Sequence, residues 1–232
     1  MRYLGVNQHF QTKVPVSEFD GLTDRLNLQG LKIYKGGCKE SRGYYSQTTD
    51  FTTARNSNGG TSSGDGYFGI DGTSSSCTIY QTYYAFDVSW WQSSFQLAGA
   101  VVELRCESGS TINNTTNPSN LYLLGVLTKF TEYKGWATMS SASGFANLGK
   151  LLLYPPDNNT VNVHHGKCHE HTFLSFRITN VSGFKALLDA AVATTAKEIY
   201  LYPASYHYVD NIAPTANFYF YALYSSIELY YS

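Results

Sequence analysis

Charge is scarce in this chain. Only 14% of its 232 residues are Asp, Glu, Lys or Arg, 17 acidic and 16 basic, for a formal net charge of −1. An average soluble domain carries about 25%. No stretch is strongly basic, so long-range attraction to nucleic acid has no source, and a nucleic-acid partner is not expected. Low charge combined with many aromatics is the opposite of a disordered composition. No window approaches the roughly 18 consecutive apolar residues of a membrane-spanning helix, so no membrane partner is expected either. The start of the chain, Met1 to Phe10, lacks the apolar core of a signal peptide, which predicts a protein that is not secreted by that route. The four cysteines, Cys38, Cys77, Cys106 and Cys168, form no CxxC pair. Spacing leaves their pairing open, and four free thiols are expected. No nucleophile elbow, P-loop, dinucleotide fingerprint or spaced carboxylate pair is present, so the chain does not read as an enzyme.

Aromatic residues are abundant: 20 Tyr, 13 Phe and 3 Trp, alongside 20 Gly. Tyr and Phe favour strands, and the Gly, Ser, Thr and Asn between them supply turns. Cys77 to Asp87 is the clearest strand, β-branched and aromatic throughout. In Phe95 to Cys106, Val102, Leu104 and Cys106 face one way and Glu103 and Arg105 the other. Strands are also expected near Leu31–Tyr34, through Tyr44 to Arg55, at Tyr67–Ile70, Leu121–Lys129, Lys150–Tyr154, Thr172–Ile178 and Glu198–Tyr202. Two more, Phe218–Ala222 and Ser226–Tyr231, close the chain. One short helix is expected at about 180–192, with Ser182 as N-cap and Phe184, Leu187, Leu188 and Ala191 on its apolar face. Turn signals every 8–12 residues or so point to a sandwich or barrel rather than βαβ units. The expected fold is therefore all-β: an antiparallel, jelly-roll-type β-sandwich with one short helix.

Residues 1–40 stand apart. They carry six basic and four acidic residues and no long strand pattern, with at most one helical turn at Gly21–Leu26. The expected organisation is an N-terminal arm or docking segment over 1–40 and a β-sandwich domain over 41–232.

Two stretches together carry a resemblance. Tyr83-Tyr84-Ala85-Phe86-Asp87-Val88-Ser89, followed by Phe95-Gln96-Leu97-Ala98-Gly99-Ala100-Val101-Val102-Glu103-Leu104, is similar to a pattern in carbohydrate-binding-module-like jelly rolls. There a strand ending in Phe-Asp-x-Ser precedes a short turn and a second apolar strand. Ile178-Thr179-Asn180-Val181 before the helix and a closing strand at Ile227–Tyr231 also match. The resemblance covers residues 41–232. Trp90-Trp91 departs from it, standing where the family has a small turn. Such domains occur in extracellular polysaccharide enzymes and in structural proteins of tailed bacteriophages. Without a leader, the resemblance implies the second setting: a virion structural protein, assembled in the host cytoplasm, that decorates a capsid or forms a tail or head appendage. It would join other virion proteins through residues 1–40, form a homo-oligomer such as a trimer, and contact host-surface glycans. Two alternatives are a single-jelly-roll coat protein that forms the shell itself and a free carbohydrate-binding module. The first usually carries a basic genome-holding arm, and residues 1–40 sum to only +2.

Few residues suggest a site. Trp90 and Trp91 offer aromatic faces for stacking on a sugar ring. Asp87 and Ser89 fit a structural turn in which the carboxylate accepts a backbone N–H. His164, His165, Cys168, His169 and His171 form the densest set of metal ligands. Imidazole and thiolate suit Zn²⁺, and in an extended chain His169 and His171 share a face; the spacing matches no standard finger, and a polar loop or a pH-sensitive contact explains the cluster equally. Asp50, Asp65, Asp71 and Asp157 lie in Gly- or Asn-rich loops and are oxygen donors for Ca²⁺, without EF-hand spacing. No cofactor is required by any of these patterns.

Overall fold

The computed structural model describes residues 31–62, 66–106, 111–112, 119–153 and 172–232. In chain order they form β1 (Lys32–Gly37), β2 (Glu40–Tyr45), α1 (Phe51–Asn56), β3 (Thr61–Ser62), β4 (Tyr67–Thr73), β5 (Ser76–Asp87), β6 (Leu97–Cys106), β7 (Thr111–Ile112), β8 (Ser119–Val126), α2 (Trp136–Ser140), β9 (Ala146–Leu153), β10 (Thr172–Arg177), α3 (Val181–Val192), β11 (Glu198–Ser205), α4 (Tyr206–Asp210) and β12 (Phe218–Tyr231). The main path of antiparallel pairs runs β10-β6-β12-β4-β5-β11-β8-β9, with β1 beside β12 and β2 beside β5. Its ends nearly meet. The N–H groups of Thr179 and Asn180, just past β10, donate to the Leu148 carbonyl of β9 at 3.0 and 3.1 Å. The sheet is thus folded into a sandwich nearly closed as a barrel, the all-β antiparallel class that the sequence predicts.

β12 carries the chain from one sheet to the other. Phe218–Tyr221 pairs with β4, and Ala222–Tyr231 pairs with β6. The register slips between Ala222 and Tyr224, and such a bulge bends a strand without ending its pairing. The two closing strands expected from the sequence are therefore one strand of 14 residues.

The core has two parts. Between the sheets, Phe68, Phe86, Val102, Leu104, Phe176, Phe218 and Phe220 pack with the buried face of α3. A second cluster joins Ile79, Tyr83, Leu124, Val126, Tyr200 and Tyr202 to Phe51 of α1, Met139 of α2, Tyr208 of α4 and the loop residues Phe130 and Tyr133. β5 is consequently covered on both faces: Tyr83 and Tyr84 point to opposite clusters and both are fully buried. Helices and loop form a third layer over one sheet.

That layer is where the sequence expectation fails. Asp50–Arg55 reads as strand from its aromatic and β-branched residues, but Phe51–Asn56 is helical because Asp50 Oδ1 accepts the Thr53 N–H at 3.0 Å and caps it. α2 and α4, of five residues each, are too short to show a 3.6-residue period. α3 falls where the sequence places it, with Phe184, Leu187, Leu188 and Ala191 buried, but its cap is Asn180, whose Oδ1 accepts the Gly183 N–H at 3.0 Å. Ser182 lies inside the first turn instead.

The expected boundary at residue 40 also moves. β1 pairs residue for residue from Lys32↔Tyr231 to Gly37↔Ser226, and β2 begins at Glu40, so the sheets take in the chain from Lys32 onward. The turn expected at Gly21–Leu26 lies outside the described residues. Among the described residues, no helix is long and apolar enough to cross a membrane.

Candidate functional site

The corner after β5 is built by its turn. Asp87 Oδ1 accepts the Ser89 N–H at 2.8 Å, which holds its carboxyl below the usual carboxylate range. The Val88 N–H donates to the Lys197 carbonyl and the Trp91 N–H to the Val88 carbonyl, both at 2.9 Å. This turn drives Trp91 inward. Trp91 is 3% exposed, its Nε1 donates to Asp189 Oδ1 at 2.8 Å, and its ring meets Phe95 edge-on at 5.4 Å. Neither face is open, so Trp91 does not offer a sugar platform. Trp90 is half-buried. One face stacks on Tyr34 of β1 with ring centroids 3.8 Å apart, and its edges reach Trp91 and Tyr231. Lys32 Nζ stands 5.7 Å from the Phe95 ring centre. The two tryptophans therefore knit β1, the end of β12 and α3 into one corner.

A second assembly joins three segments by charge. Lys39 Nζ lies 2.6 Å from Glu198 Oε1, and Lys129 Nζ 2.5 Å from Glu40 Oε2. The Tyr83 hydroxyl donates to Glu40 at 2.8 Å and the Tyr200 hydroxyl to Glu198 at 2.7 Å. Hydrogen bonds from Lys129 and Lys39, respectively, hold the Glu40 and Glu198 carboxyls below their usual range. Burial and the Glu198 bond push the Tyr200 hydroxyl up to about 12. At neutral pH both carboxylates are charged and paired and both phenols are neutral. Neither carboxylate is poised as a general acid, so this network ties strands together rather than setting up acid–base chemistry. A cleft of about 390 Å³ beside the start of α3, lined by Phe145, Asn147, Asn180 and Leu187 among others, has no acid, base or nucleophile in its wall.

The third assembly is one the sequence reading did not single out. Cross-strand register places Tyr219, Gly69, Tyr80 and Tyr45 in one row over β12, β4, β5 and β2, with Tyr221 opposite Tyr67 nearby. Gly69 has φ +117°, and a Cβ there would lie 2.2 Å from the Phe218 carbonyl oxygen, so the centre of the row is bare. The tyrosines close around it: Tyr67 lies 4.5 Å from Tyr221, 5.7 Å from Tyr80 and 6.2 Å from Tyr219, and Tyr45 lies 6.0 Å from Tyr80. All five are half-exposed. The clue in the sequence was the alternation of Phe218, Phe220 and Ala222 with Tyr219 and Tyr221, which puts one set inside and the other outside.

The histidine cluster, His164, His165, Cys168, His169 and His171, lies outside the described residues, as do Asp65 and Asp157. Asp50 is occupied as a helix cap and Asp71 sits within β4 opposite Thr78. Among the described residues no group of three or more His, Cys, Asp or Glu side chains converges. Cys38, Cys77 and Cys106 are free thiols, and burial pushes Cys77 up to about 11. No known family model matches the chain, and no curated protein matches it.

Proposed function

We propose that this chain is a structural subunit of a virion, a capsid-decorating or tail or head appendage protein of a bacteriophage or similar virus. It would assemble as a homo-oligomer in the host cytoplasm. The reading rests on the resemblance of residues 83–104 to phage-borne jelly rolls, together with the architecture. Its main support is the distribution of aromatic side chains. Most are used to pack a three-layer sandwich, and a five-tyrosine face is left half-exposed on a surface with little charge. Tyr is favoured at contact surfaces because it supplies large area and a polar tip with few rotamers, so this face suits a neighbouring subunit or a host-surface glycan. Trp90 and Trp91 have no such part in the proposal; they hold the fold. Because β1 belongs to the sheet, the anchoring segment is residues 1–30 rather than 1–40.

Deletion of residues 1–30 tests the reading. The shortened protein should remain folded and soluble by circular dichroism and gel filtration but be missing from purified particles by mass spectrometry. Incorporation at the normal level would overturn the anchoring role. Absence of the intact chain from every particle in its source would overturn the virion assignment itself.

A further inference from the structure

We propose that β1 is an exchange element: in the assembled protein, Lys32–Gly37 of one copy pairs with β12 of a second copy. The inference rests on the homo-oligomeric part of the proposed function and adds how the copies are joined.

β1 differs from every other strand of six residues or more. None of its residues is buried, whereas each of the others places at least one side chain in the core. Among the described residues it pairs with β12 alone. Tyr34 stacks on the half-buried Trp90 and packs against the core from its margin, Lys35 pairs with Glu228 at 2.7 Å and Lys32 lies near Phe95. The strand it covers is different. Ile227 and Leu229 of β12, opposite Gly36 and Tyr34, are 3% and 1% exposed with β1 in place. β1 covers this edge of β12, and any copy of the same six residues can cover it with the same contacts. Exchange of an identical element between protomers leaves the contact inventory unchanged, which makes it a low-cost route to oligomers.

The connection favours this. The Cys38 N–H still donates to the Ser225 carbonyl on β12, while the Lys39 N–H already donates to the Ala85 carbonyl on β5, both at 2.8 Å. The chain thus passes from one sheet to the other with no spare residue. Short hinges invite swapping, because extending them is easier than folding them back. Gly36 and Gly37 precede the hinge, and an added Cβ at Gly37 would meet nothing within 4 Å. In dilute solution the local strand wins by effective concentration; in an assembly the neighbour's strand is equally near.

The test uses two full-length single variants, Ile33→Cys and Tyr230→Cys, which face each other in the register. They carry different tags, are co-expressed, oxidised, and analysed by light scattering and by peptide mass spectrometry of non-reduced gel bands. Exchange predicts an oligomer containing a 33–230 disulfide between differently tagged chains. An oligomer in which the double variant Ile33→Cys/Tyr230→Cys forms only an intrachain bridge, and the mixed singles none, overturns exchange and leaves the oligomeric reading intact. A monomer at all concentrations overturns both. Gly37→Cys with Ser226→Cys, a second pair in the same register, repeats the test if Tyr230→Cys does not fold.

Discussion

Replacing Trp91 separates a scaffold role from a binding role by magnitude. Its ring is 3% exposed and touches Trp90, Phe95 and Tyr231. Truncation to Ala leaves a cavity in a core that can collapse only partly, and such changes cost about 3–5 kcal/mol. In a chain of this size each kcal/mol moves the melting midpoint by roughly 2–4 °C, so Trp91→Ala should lower it by roughly 6–20 °C. Trp91→Phe retains most of the ring but removes the bond to Asp189. That carboxylate keeps Lys185 at 2.6 Å, so no charge is stranded, and the loss should be about 1.5–3 kcal/mol, the range for a hydrogen bond to a charged group. Trp90→Ala removes one stack on Tyr34, worth about 0.5–1.5 kcal/mol beyond its partial burial, and should fall below Trp91→Ala. Urea unfolding of the three variants gives the order directly. A loss under about 1 kcal/mol for Trp91→Ala would refute the assignment of this corner to the scaffold. So would a variant that keeps wild-type stability but loses binding to a glycan array.

Three further outcomes follow from particular contacts. Asn180→Ala should cost about 1–2 kcal/mol in urea unfolding, since it removes the α3 cap, while Ser182→Ala should stay within about 0.5 kcal/mol; the reverse order would restore Ser182 as the cap. Glu40 and Glu198 have folded pKa values lowered from 4.5, so their contribution to stability is complete above that pH and is lost as pH falls through the lowered values. Glu198→Gln should therefore flatten the decline of the urea midpoint below pH 4.5, and an unchanged acid limb would show that the Lys39 pair contributes nothing. Gly69→Ala forces a side chain onto φ +117° and into the Phe218 carbonyl, and should cost more than about 2 kcal/mol or prevent folding; a soluble variant of wild-type midpoint would contradict the register between β4 and β12.

The strands were legible because their patterns are long and local. Cys77–Asp87, Phe95–Cys106 and Thr172–Ile178 each show the alternation or β-branched aromatic content that a strand needs, and each forms one. The cap of α3 was misplaced by two residues because Asn180 and Ser182 are both good caps, and only the fit of the Asn180 Nδ2 to the Asn147 carbonyl at 3.0 Å decides between them. Short helices left no period to read. The bend of β12 was hidden for a different reason: a bulge is a relation between two strands, and Leu223 and Tyr224 carry no local mark of it.

The same distinction governs the aromatic residues, and through them the proposed function. Parity along β5 puts Tyr83 and Tyr84 on opposite faces, and on that ground alone one of them should meet solvent. Both are buried because α1, α2, α4 and the loop through Tyr133 lie over the second face, and those segments have the weakest sequence signals in the chain. Conversely, Trp90 and Trp91 look like exposed binding residues in a turn, yet the Asp87–Ser89 turn aims Trp91 at the core. The half-exposed tyrosines of β2, β4, β5 and the first part of β12 are grouped around Gly69, where a missing side chain leaves space. An exposed aromatic face is therefore a product of register between distant segments, β2, β4, β5 and β12, and the proposed contact surface lies where no single stretch of sequence concentrates its signal.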